Sequence, residues 1–135
     1  MSIRYVYLAG PMRGFRDFNK AAFDEAADYL GSRGLTVFNP AASDVNDFGS
    51  LESEYGDEKE LANRAQMTVE GLRRYVFEKD LTWICRLADA LVLLPNWEIS
   101  LGAKAEKGLC EALNLPVFEY SDDILDNIFG YNEAA

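Results

Sequence analysis

The chain has no histidine and only two cysteines, and cations are scarce: 13 Lys and Arg stand against 23 Asp and Glu, a formal net charge of -10 at pH 7. Each shortage excludes a class of function. Without histidine there is no Ser-His or Cys-His hydrolase and none of the common His-rich zinc sites. Too few clustered Lys and Arg are present to grip a nucleic-acid backbone. One or two arginines still suffice for a single small phosphate. No apolar run approaches the roughly 18 residues of a membrane span, and the N-terminus carries no signal-peptide pattern. The expectation is a soluble, cytoplasmic protein with no membrane or nucleic-acid-polymer partner. Cys85 and Cys110 are read as buried thiols of a reducing compartment. Proton chemistry, if any, falls to carboxylates, tyrosine or lysine.

What is present alternates. The β-rich run "IRYVYLAG" ends at Gly-Pro and reads as a buried strand, followed by a helix with Phe23, Ala26, Ala27 and Leu30 at helical spacing and Gly34 as its stop. "LTVFNP" is a second strand, residues 68–87 a long helix, "DALVLLP" a strand, residues 100–114 a helix, "PVFEY" a last strand and "DDILDNIFG" a terminal helix. At 135 residues this is one domain. The expected architecture is α/β, an open parallel sheet of Rossmann or flavodoxin-like type with helices on both faces. Ligands of such sheets bind at the carboxyl ends of the strands. That directs attention to three connections: Gly10 to Asp17, Asn39 onward, and Pro95 to Ser100.

Residues 41–67 interrupt the alternation. This acidic stretch is too long for an ordinary connection and is expected to be a lid, binding loop or disordered segment, with a short helix around 58–65. Asp44 and Asp47 are read there as solvated loop charges, the alternative being part of a metal site.

Two carboxylates sit where apolar residues belong. Ser100 is a good N-cap for the helix that follows, and Glu106 shares a face with Leu109, Cys110 and Leu113, while Lys104, Lys107 and Glu111 take the opposite face. Burying an unpaired carboxylate is costly and raises its pKa, so Glu106 is either an ion-paired structural group or a site residue. On the long helix, Asp80 falls in the gap of a stripe made by Val69, Leu72, Val76, Ile84 and Leu87. Asp80 alone reads equally as a structural hydrogen-bonding residue. Glu98, beside Trp97, is the competing reactive carboxylate, with a solvated rim as its plainer reading.

The loop "GPMRGFRDF" contributes Arg13 and Arg16 flanked by Gly10 and Gly14, which let backbone approach a ligand closely. Arg suits a phosphate gripped by paired hydrogen bonds, and free N–H groups from Ser100 to Gly102 suit the same anion. A plain surface turn explains the loop equally well. No Walker or dinucleotide fingerprint is present.

"VYLAGPMRG", "FEKDLTWICRLADALVLLP" and "SLGAKAEKGLCEALNLPVFEY" together resemble the nucleoside 2-deoxyribosyltransferase superfamily, nearest to its 2'-deoxynucleoside 5'-phosphate N-hydrolases and to uncharacterised phage and bacterial domains. The resemblance covers most of the chain and leaves out 41–67. It implies an active site of Glu106 as nucleophile toward the anomeric carbon, Asp80 to protonate or hold the departing base, and Tyr7 to orient the nucleophile. It also implies a homodimer or larger assembly. Arg13 and Ser100 stand where the hydrolases hold a 5'-phosphate, with Gly10, Gly14, Asn39 and Gly102 as further substrate-binding positions. Gly10-Pro11 is closer to the transferases, and Trp97 and Glu98 depart from the pattern.

The expected activity is therefore cleavage of a 2'-deoxynucleoside 5'-monophosphate without metal or other cofactor. Three alternatives stand beside it: deoxyribosyl transfer or another N-ribosyl substrate, a non-catalytic nucleotide-binding module, and a Mg²⁺-dependent phosphoryl-transfer or receiver-like domain using Asp44 and Asp47.

Overall fold

The structure is a computed structural model and describes residues 2–50 and 52–134. Four parallel strands, β1 (Tyr5–Ala9), β2 (Thr36–Phe38), β3 (Ala90–Leu93) and β4 (Val117–Glu119), form one open sheet in the order β2-β1-β3-β4. Six α-helices surround it: α1 (Lys20–Gly31), α2 (Pro40–Phe48), α3 (Glu58–Arg64), α4 (Val69–Leu87), α5 (Leu101–Ala112) and α6 (Ile124–Ala134). The protein is a single-domain, Rossmann-like α/β fold.

Strand periodicity explains the two layers. In β1, Val6 and Leu8 face one side with Ala90 and Val92 of β3, against Phe23 and Leu30 of α1 and Ile124 and Ile128 of α6. Tyr7 and Ala9 face the other side with Leu91 and Leu93, against Ile84 of α4 and Ala103 and Cys110 of α5. Alternate residues of a strand point to opposite faces, and here both faces of the two central strands are covered. Four fully covered residues in β3 and four of five in β1 leave these strands no solvent face.

The chain runs from β1 outward to β2 and returns to place β3 on the opposite flank of β1. That reversal opens a crevice at the carboxyl ends of β1 and β3, the usual binding place in open α/β sheets. Among the described residues, no helix is long and apolar enough to cross a membrane.

Residues 41–67 depart from the expected loop. They carry most of α2 and all of α3, and they help build a third apolar cluster of Phe18, Leu61, Ala62 and Leu72, joined by Val45, Phe48 and Met67. Asn39 caps α2 by accepting from the Ala42 N–H at 3.1 Å, and Pro40 takes the first turn, where a missing N–H costs nothing. Asp44 is correspondingly buried rather than solvated, because α2 packs inward and its carboxylate meets Lys79. Leu113 and Leu87, expected on inward stripes, are exposed because each lies at a helix end. Cys110 is buried, but Cys85 is exposed: it follows Ile84 directly and so turns away from the sheet.

The same segment braces the first loop. Asp17, Phe18 and Asn19 lie consecutively in the left-handed region, with φ of 51°, 57° and 63°, which costs non-glycine residues about 1–2 kcal/mol each. Ser53 offsets this cost from both directions: its carbonyl accepts from the Asp17 N–H at 2.7 Å, and its N–H donates to Asp17 Oδ1 at 2.9 Å. Gly56 accepts from the Gly14 N–H at 3.1 Å, at φ +57°, where an added Cβ would lie 2.3 Å from the Phe15 carbonyl oxygen. Gly14 is at φ +83° with open space around it.

Gly56→Ala is therefore expected to destabilise the fold by about 2 kcal/mol or more, combining backbone strain and a backbone clash. Gly14→Ala, with strain alone, should cost about 1 kcal/mol. Urea unfolding of both variants checks the order; equal losses would mean that the two loops do not touch.

Candidate active site

A cavity of about 350 Å³ occupies the crevice. Its walls come from the loop after β1 (Gly10, Arg13), from α2 and α3 (Asp44, Glu58), from α4 (Arg73, Phe77, Asp80) and from the start of α5 (Ser100, Gly102, Glu106). Segments far apart in sequence thus meet at one edge of the sheet.

Glu106 is reached from below. Tyr7, fully buried in the central strand, donates its hydroxyl hydrogen to Glu106 Oε2 at 2.5 Å. The tyrosine ring is clamped by Phe38, stacked at 5.2 Å and 10°, and by Trp83 at 6.2 Å. Its hydroxyl is thereby held toward Glu106, with Asp80 also within its reach. Glu106 sits at 7% exposure, on the buried face with Ala103 and Cys110 that helical spacing predicts. Ser100 caps this helix through its Oγ, which accepts from the Ala103 N–H at 3.1 Å. Gly10 allows the first loop to approach, since a Cβ there would meet Leu94 Cβ at 2.9 Å.

Asp80 reaches the same cavity from α4 and is 4% exposed. Its Oδ1 is buried and finds no hydrogen-bond partner among the described residues. Burial pushes the Asp80 carboxyl up to about 7, reinforced by the negative charge of Asp44 and opposed by Lys79. Burial also pushes Glu106 up to about 8, opposed by the Tyr7 hydroxyl and reinforced by Asp80 and Asp44. Tyr7 itself is held protonated, well above the ordinary phenol range, by burial and by the neighbouring Glu106 charge. The two carboxyls compete for protons near neutrality. The Tyr7 hydroxyl favours charge on Glu106 but does not offset its burial, so Glu106 holds its proton to the higher pH of the two.

Asp44 and Asp47 are joined by a lysine. Lys79 Nζ donates to Asp44 Oδ1 at 3.0 Å and to Asp47 Oδ2 at 2.9 Å. Burial raises the Asp44 pKa while Lys79 lowers it, and the Lys79 hydrogen bond lowers that of Asp47. An ammonium bridging this pair takes the place a divalent cation would need.

The other sequence-marked residues divide. Gly10, Arg13, Ser100, Gly102, Asp80 and Glu106 all line the cavity, with Tyr7 directly behind Glu106. Asn39 and Gly14 do not. Asn39 is occupied structurally, accepting from Ala42 and donating Nδ2 to Asp24 Oδ1 at 2.9 Å. Gly14 is tied to Gly56. Glu98 is exposed on the short 3-10 turn Trp97–Ile99 and is not part of the lining.

Arg73, Phe77 and Glu58 also belong to the lining, beyond the site residues expected from the sequence. A signal exists for Arg73 and Phe77: with Val76 they precede Asp80 by seven, three and four residues, so all four share one face of α4. Glu58 carries no such signal, because its helix meets the cavity only through tertiary packing.

The chain belongs to a family described as "Domain of unknown function (DUF4406)", whose model matches residues 4–119. Residues 41–67 lie inside that match. No curated protein and no solved structure matched the chain.

The shifted carboxyls set a pH dependence of stability. In the folded protein they hold protons up to about 7 and 8, whereas unfolded carboxyls release them near 4. The folded state thus binds more protons across this window, and stability falls as pH rises through it. Glu106→Gln removes one such group. Its melting temperature relative to the parent should be several degrees more favourable at pH 9 than at pH 5, at about 4 °C per kcal/mol for a domain of this size. Parallel melting curves across that range would contradict the burial of an ionisable Glu106.

Proposed function

For this member of a family without an assigned activity, we propose cleavage of the N-glycosidic bond of a 2'-deoxynucleoside 5'-monophosphate, giving free base and deoxyribose 5-phosphate. The observation that carries the reading is a buried carboxylate, Glu106, held by the Tyr7 hydroxyl at the floor of a cavity with a second raised carboxyl, Asp80, in its wall.

In the first step the Glu106 carboxylate bonds to the anomeric carbon as the carbon–nitrogen bond breaks. The bonding pair leaves with the base, and Asp80 supplies its proton. Water then attacks the same carbon, gives a proton to the Asp80 carboxylate, and releases Glu106. Two displacements through an oxocarbenium-like transition state are the pattern of retaining glycosidases. The Tyr7 hydrogen bond keeps the attacking oxygens oriented, which is the positioning such a reaction requires. Arg13 and the start of α5 at Ser100, Leu101 and Gly102 line the cavity and suit the 5'-phosphate. A second base in place of water converts the same chemistry into transfer. The reading includes a homo-oligomer in the cytoplasm.

One observation favours a second reading, a module that binds nucleotide without chemistry. With its pKa near 8, Glu106 is largely neutral at pH 7, and a neutral carboxyl donates hydrogen bonds instead of attacking carbon.

Chromatography after incubation with each common 2'-deoxynucleoside 5'-monophosphate, free of metal, separates the two. Free base is expected, with loss of turnover by at least about 10³-fold in Glu106→Gln and by about 10²-fold or more in Asp80→Asn. A folded parent protein that gains thermal stability from a nucleotide but never releases base would replace the enzyme with the binding module. Near-parental activity in Glu106→Gln would remove that residue as nucleophile.

A further inference from the structure

Arg13 is not the only guanidinium at the cavity. Arg73, on the α4 face that carries Asp80, donates Nε to both Glu58 oxygens at 3.1 and 3.0 Å and Nη2 to Oε1 at 2.8 Å. From the loop after β1, Arg13 Nη1 lies 3.6 Å from Glu58 Oε2. All three residues line the cavity. The Glu58 side chain is 16% exposed, and the two arginines are 41% and 51% exposed. One planar anion is therefore gripped by a guanidinium fork and faced by a second guanidinium. This is how proteins hold phosphate.

We propose that Arg13 and Arg73 form a two-armed site for a phosphomonoester, and that the Glu58 carboxylate is its internal occupant, displaced when the ligand enters. The identity of that ligand as a nucleoside monophosphate rests on the glycosidase reading; the two-armed site does not.

The layout along α4 supports the assignment. Arg73 and Asp80 lie seven residues apart on one face, about 10 Å along the helix axis. The cavity thus has a cationic end at Arg13 and Arg73 and a carboxyl end at Asp80 and Glu106. A sugar phosphate is polarised in the same way, with its anion at one end and its anomeric carbon at the other. A phosphomonoester also brings more charge and a third oxygen, so it can engage both guanidiniums more fully than a carboxylate. Releasing Glu58 does not require α3 to unfold. Asp57 caps that helix, accepting from the Lys59 N–H at 2.9 Å, and Leu61 and Ala62 anchor it in the third apolar cluster.

The test is calorimetric binding of 2-deoxyribose 5-phosphate, which has no base to lose, with 2-deoxyribose as the uncharged control. Glu58→Gln keeps shape and removes charge; it should bind the sugar phosphate at least about tenfold tighter than the parent, and Arg73→Ala at least about tenfold weaker. Binding of deoxyribose should be the same in all of them. In the double variant the gain from Glu58→Gln should vanish, since an occupant matters only while Arg73 is there to be occupied. A gain that persists in the double variant would reduce Glu58 to general repulsion and overturn its role as occupant. Unchanged affinity in either single variant, with melting curves showing intact folds, would overturn the two-armed site, as would absence of sugar-phosphate binding to any of them. Base release from nucleotides alongside such a failure would leave the glycosidase reading standing. The expected binding pattern without base release would do the reverse.

Discussion

One hydrogen bond organises this molecule: the Tyr7 hydroxyl to the Glu106 carboxylate, deep between the sheet and α5. A nearly dry carboxylate is expensive, and only a donor that cannot turn away makes it tolerable. Tyr7 meets that condition because it is fully buried in a central strand and because Phe38 and Trp83 hold its ring from β2 and α4. Its neighbours in the strand, Val6 and Leu8, are committed to the opposite layer. The pleat of β1 therefore serves stability on one face and charge placement on the other.

Around that bond the cavity is graded in charge. Glu106 and Asp80 compete for protons at its floor, Lys79 ties Asp44 into its side, and Arg13 and Arg73 share Glu58 on its wall. An acidic chain places two of its 13 cations, Arg13 and Arg73, in the cavity lining and a third, Lys79, against Asp44. Such concentration in a concave site is more informative than the net charge, because low-dielectric walls strengthen each interaction and keep opposite signs from averaging out.

Residues 41–67 are structural as well as acidic. α2 brings in Asp44, α3 brings in Glu58, and the turn between them holds the strained loop at Asp17–Asn19 through Ser53 and Gly56. Removing this segment would take away one wall of the cavity and the brace of another. Composition alone makes it look like a loop, since its apolar residues are sparse. Its helices are stabilised less by their own propensity than by contact with Phe18 and Leu72 elsewhere in the chain.

Whatever depends on neighbours along the chain is legible in the sequence. Alternating strand and helix patterns implied an open parallel sheet, and the helical period put Glu106 and Asp80 inward, because side-chain direction follows from position within an element. Contacts between distant elements are a matter of packing. The hydroxyl of Tyr7 finds Glu106 at a sequence separation of 99, Asn39 turns out to be a cap, and Asp44 pairs with Lys79 in place of solvent. Arg73 and Glu58 become cavity residues by the docking of α3 on α4. Periodicity reports a direction within one element; a binding site is the intersection of several, and that intersection exists only once the chain has packed.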